Sequence, residues 1–117
     1  MPTNVGDAQA FFEALNGAQA GDALVGFDVP VGAEAVAEDV WRTLRDTDRV
    51  LLVLPRAVRC FLPGGGEEGI RSVLARVAGI ASIQDDCTAS SVVVDDAEHG
   101  ADAFDRLKRE GEGRPIA

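Results

Sequence analysis

Positive charge is scarce in this chain. Eleven Lys plus Arg face twenty Asp plus Glu over 117 residues, a net charge of −9. DNA, RNA and anionic membranes are bound largely by neutralising phosphate with Lys and Arg. No general nucleic-acid or membrane partner is therefore expected, and an anionic ligand needs a local arginine pocket. Long apolar runs are also missing. None approaches the roughly 20 residues that span a bilayer. The opening segment, Met1 to Gly17, lacks the basic start and apolar stretch of a signal peptide. The expected location is cytoplasmic. Two cysteines, Cys60 and Cys87, stand apart without CxxC spacing, which argues against a zinc or redox site. Cys60 falls in a strand pattern and Cys87 in a polar turn. The single histidine, His99, has no partner motif. Neither a metal nor a cofactor is expected.

What is present is periodic. Apolar residues make up 46% of the chain and fall in segments with helical or strand spacing. One domain spanning 1–117 is expected, with 110–117 as a flexible tail. Asp7 is placed to cap a first helix that Gly17 stops, with Ala8, Phe11, Phe12 and Leu15 on its inner face. DALVGFDV reads as a buried strand ended by Pro30 and Gly32. A clear helix follows over Ala33–Arg45, with an apolar stripe of Val36, Ala37, Val40, Trp41 and Leu44. RVLLVL and AVRCFL are short and β-branched, and Pro55-Arg56 between them suggests a hairpin. A further helix over Glu67–Ala78 buries Ile70, Val73, Leu74 and Val77. SSVVVDD is a strand, apolar enough to be central. Phe104 and Leu107 mark a closing helix.

The order predicts an α+β fold. It is a ferredoxin-like β-α-β-β-α-β core with a mainly antiparallel sheet, plus N- and C-terminal helices. The two core helices should share one sheet face, leaving the other to be covered by something else. PGGGEEGI lacks the GK[ST] ending of a phosphate loop and follows a hairpin strand, so it reads as a turn before a helix. Asp85-Asp86 and Asp95-Asp96 match no metal-loop spacing and read as solvated turns.

The stretch RDTDRVLLVLPRAVRCFLPG, Arg45 to Gly64, resembles the signature hairpin of the GGDEF domain of diguanylate cyclases. That family has an R-x-x-D motif, five further residues, the GGDEF turn, and a second strand running into Leu-Pro-Gly. Here RDTD is Arg45 to Asp48, RVLLV follows, the turn reads LPRAV, and FLPG closes. EEGIRSVLARV, TASSVVVDDAEHGADA, LKREGEGR and NVGDAQAFFEAL are similar, in order, to the family's later helix, late strand, closing end and opening helix. The resemblance implies the same α+β fold.

It also implies lost catalysis. Leu54 and Pro55 stand where the family's glycines admit the nucleotide, and Pro removes a donor. Arg56 and Ala57 stand where its acids hold metal, which two-metal phosphoryl transfer requires. Asp28 matches the family's first-strand metal aspartate but stands alone, and a helix after it is missing. The resemblance therefore implies no enzyme. It implies a cyclic di-GMP receptor through Arg45-x-x-Asp48, the family's inhibitory site. There Arg45 would offer a two-pronged donor to guanine and Asp48 would accept from its N–H edge. Arg42, one turn earlier, would assist. The alternative is a protein–protein or homodimerisation module that binds no nucleotide, built on apolar surface that the missing helix uncovers.

Overall fold

The computed structural model describes residues 8–53, 56–80, 87–96, 98–110 and 114–115. Its elements are α1 (Ala8–Asn16), β1 (Ala23–Asp28), α2 (Ala33–Thr43), β2 (Arg49–Val53), β3 (Ala57–Leu62), α3 (Gly66–Ala78), β4 (Thr88–Val93), α4 (Gly100–Glu110) and β5 (Arg114–Pro115). They form one antiparallel sheet in the order β2-β3-β1-β4-β5. The first four strands and the two helices between them are the expected ferredoxin-like core.

The position of β1 follows from its residues. Ala23 to Phe27 are all buried, so the strand needs cover on both faces, and a central place provides it. Alternation then divides its side chains. Val25 and Phe27 join Val50, Val58, Cys60 and Leu62 under α2 and α3, which supply Val36, Val40, Leu44, Val73 and Val77. Leu24 joins Leu51, Phe61 and Val92 on the opposite face. That second face is covered by the outer helices, through Phe11 and Leu15 of α1 and Ala103, Phe104 and Leu107 of α4. The chain thus supplies its own second cover. In α1, Phe11 and Leu15 are buried as expected, whereas Ala8 and Phe12 are exposed. Phe12 keeps an edge-on contact with Phe104, 5.7 Å between ring centroids.

Other details depart from expectation. The register pairs Val53 with Ala57, which leaves residues 54–56 between the strands where a two-residue turn on Pro55-Arg56 was expected. Leu54 and Pro55 lie outside the described residues, as do Asp7, Asp85 and Asp86. Within the segment expected as a tail, Glu110 ends α4, and Arg114 and Pro115 pair with Ala89 and Thr88. β4 is therefore flanked by β1 and, over two residues, by β5. Cys87 is buried against the α2–α3 side of the sheet rather than lying in an open turn, because it leads directly into β4. Among the described residues, the large apolar side chains left exposed are Phe12 in α1, Val31 between β1 and α2, and Val53 in β2.

Arg106 fastens α4 to the end of β4. It donates to both carboxylate oxygens of Glu98, from Nε at 3.0 Å and Nη2 at 2.9 Å, and to the Val93 carbonyl at 2.6 Å. Hydrogen bonding from Arg106 holds the Glu98 carboxyl below its ordinary range. A depressed carboxyl stabilises the fold fully above its unfolded pKa, about 4.3, and that contribution fades as pH falls through the folded value. Glu98→Gln should therefore be less stable than the parent at neutral pH, with the gap closing below about pH 4. Thermal melts from neutral to acid pH measure this. A gap of constant size would show that the ion pair contributes nothing.

Candidate functional site

α2 stops at Thr43, two residues short of Arg45. Leu44 turns extended, with φ −88° and ψ 159°, and its N–H reaches the Trp41 carbonyl. A tight turn follows. Asp48 donates its N–H to the Arg45 carbonyl at 3.0 Å and accepts the Arg45 N–H on Oδ2 at 2.9 Å. The Arg45 side chain folds onto the same carboxylate, with Nη2 at 2.8 Å and Nε at 3.2 Å from each oxygen. Nη2 also donates to the carbonyl of Pro63, just past β3, at 3.0 Å. The Arg45–Asp48 pair is thus a clasp between the entry to β2 and the exit from β3.

The two partners are unequally placed. The Asp48 side chain is 3% exposed and that of Arg45 is 55% exposed. Hydrogen bonding to Asp48 raises the Arg45 pKa further above its ordinary value. Burial, with the charge of Asp48 second, pushes the Cys60 thiol up to about 12. Cys60 is accordingly a packed apolar group and not a nucleophile.

This clasp forms one wall of an open groove of about 310 Å³. The loop after β3 and one face of α3 form the rest, through Gly64, Glu68, Ser72 and Arg76. The loop is fixed from behind. Gly64, at φ +68°, donates to the Asp22 carboxylate at 2.7 Å, and Gly66, at φ +55°, donates to the Gly21 carbonyl at 2.8 Å. Both need glycine because the backbone is left-handed there. Arg76 spends Nη1 on the Thr43 carbonyl at 2.8 Å, which ties α3 to the end of α2.

Two of the three residues expected at the site therefore meet in the groove, and the third does not. Arg42 lies on the outer face of α2, 3.5 Å from Glu38 and 3.4 Å from Asp39. The expectation assumed a helix continuing through Arg45. Because α2 ends at Thr43, the one-turn spacing no longer brings Arg42 and Arg45 together. Arg76, the second arginine of the groove, was missed. Its place in an ordinary amphipathic helix gives no local sign of that role.

The hairpin end of the sheet presents a different arrangement. Asp28 ends β1 between Ala57 and Thr88 on the neighbouring strands. Arg59 lies across Gly26, donates to the Phe27 carbonyl at 3.4 Å and comes within 4.0 Å of the Asp28 carboxylate. Among the described residues, no three His, Cys, Asp or Glu side chains gather where a metal would sit. Among the described residues, Asp28 thus has a guanidinium nearby and stands in no cluster of carboxylates.

Comparison with known proteins adds one finding. In three dimensions the chain is similar to the X-ray structure of an EAL/GGDEF domain protein from M. capsulatus. The TM-score is 0.57 at 16% sequence identity, and the match covers 87% of each chain. This chain has a GGDEF-like fold. No family model matches the sequence, and no curated protein matches it. Within the GGDEF-like fold, the groove at Arg45 and the Asp28 position lie apart: the first is at the end of the sheet where β3 leaves, the second at the hairpin end. No described helix is long and apolar enough to cross a membrane.

Proposed function

We propose that this chain is a non-catalytic regulatory domain whose groove at Arg45 and Arg76 receives cyclic di-GMP. The observation that carries the reading is the meeting of those two arginines, from different elements, in one open groove above Asp48. A chain with a net charge of −9 opposes a dianion at long range, so two guanidinium groups in one groove favour such a ligand locally. The support for lost catalysis is the residue set at Asp28, where a guanidinium, that of Arg59, lies 4.0 Å from the carboxylate.

The mode of contact differs from a free two-pronged arginine. Arg45 has committed Nε and Nη2 to Asp48 and Pro63. Nη1 is left to meet guanine O6 or N7. Asp48 supports Arg45 and does not read the base. Arg76 meets a phosphate or the second base.

Calorimetry at low salt with cyclic di-GMP, and cyclic di-AMP as control, tests the reading. Arg45→Ala and Arg76→Ala should each weaken cyclic di-GMP binding by about tenfold or more. Arg42→Ala should leave it unchanged, and added salt should weaken it. Absence of binding at high protein concentration would end the receptor reading. With GTP and magnesium or manganese, no pyrophosphate or dinucleotide should form, and turnover above a heat-killed control would overturn the non-catalytic assignment.

A further inference from the structure

The proposed groove contains a charge that a dianionic ligand does not call for. Glu68, in the first turn of α3, lines it together with Arg45 and Arg76. The Glu68 side chain makes no hydrogen bond or ion pair with any described residue. A free carboxylate facing a dinucleotide repels the phosphates, so it favours such a ligand only where it meets N–H donors. Guanine carries two on one edge, N1–H and N2–H, and adenine presents a lone pair at N1.

The other acceptors around the groove are occupied. Both oxygens of Asp48 are held by Arg45, and its side chain is 3% exposed. The Pro63 carbonyl receives Arg45 and the Thr43 carbonyl receives Arg76. That leaves the Glu68 carboxylate as the anionic acceptor available to a base. Its backbone is held in α3, and the adjacent Gly69 leaves the wall beside it without a side chain.

Resting on the receptor reading, we propose that Glu68 is the specificity-determining residue of the groove, accepting from guanine N1–H and N2–H while Arg45 and Arg76 donate to the ligand's acceptors. The guanine edge is then read from α3, and Asp48 acts only to hold Arg45.

The test is calorimetry on the full chain with cyclic di-GMP and cyclic di-AMP, comparing the parent with Glu68→Gln and Glu67→Gln. Glu67 is the neighbouring exposed acid and is absent from the lining of this groove, so its variant controls for loss of one negative charge. Glu68→Gln should weaken cyclic di-GMP by roughly tenfold and leave cyclic di-AMP unchanged or tighter, so that the preference for guanine collapses. Glu67→Gln should keep the preference. If Glu68→Gln changes both ligands by the same factor, the selectivity role is overturned and the receptor reading stands. If the parent binds neither dinucleotide, both are overturned.

Discussion

Asp48→Ala is expected to cost about 2–3 kcal/mol of unfolding free energy. The carboxylate is buried and takes up the Arg45 backbone N–H, its Nε and its Nη2. Removing it leaves the turn between α2 and β2 without its internal acceptor and loosens the contact of Nη2 with Pro63. Breaking a fully buried pair costs about 3–5 kcal/mol. The expected value is lower because the Arg45 head is more than half exposed and can return to water. Asp48→Asn should cost less, since the amide keeps one oxygen for the backbone N–H. Arg42→Ala, which removes only an exposed ion pair, should fall within about 0.5 kcal/mol of the parent. Denaturant midpoints of the three variants decide the matter. If Asp48→Ala matched Arg42→Ala, the clasp would have no structural role.

Gly100→Ala is expected to be the more damaging change, at about 3 kcal/mol. The first turn of α4 passes directly over the end of α1. A Cβ at Gly100 would overlap the Leu15 carbonyl oxygen, and it would approach the Ala18 Cβ at 3.1 Å. Backbone atoms of a packed helix cannot turn aside as a side chain does. The α4 helix must therefore shift, and with it Phe104 and Leu107, which cover Leu24 and Phe61. Alanine's better helix propensity, about 0.5–1 kcal/mol, does not offset this. Gly69→Ala is the matched comparison. Its Cβ would meet only the Leu62 Cδ1, at 3.9 Å, so the same substitution in α3 should stabilise by a few tenths to about 1 kcal/mol. Equal effects at the two positions would show that the α1–α4 approach does not constrain residue 100.

The periodic segments foretold the core elements because each reports a local requirement. Val36, Ala37 and Val40 recur at helical spacing, and all three are buried. Ala23 to Phe27 form an unbroken apolar run, and that run became the strand with neighbours on both sides. RVLLV and AVRCFL, flanking a proline, paired as a hairpin. The antiparallel ferredoxin-like order follows once these elements must share one core. The turn Arg45 to Asp48 was legible for the same reason, since its two side chains are three residues apart and meet without help from the rest of the chain.

What the sequence by itself determined was therefore the kind and order of the elements, and the local partners Arg45 and Asp48. The tertiary structure decided which groups share a site. Arg76 reaches the groove because α3 packs beside the end of α2, and Glu68 because the glycine loop after β3 starts α3 there. Arg42 was lost from the site by the stop of α2 at Thr43. Asp48 is buried beneath Arg45, and the loop from β3 adds the Pro63 carbonyl that helps hold Arg45 in place. The cover of the second sheet face by α1 and α4, and the pairing of β5, were settled the same way. Hydrophobic period is a property of neighbouring residues, whereas a groove is made where distant segments touch, and only packing brings those together.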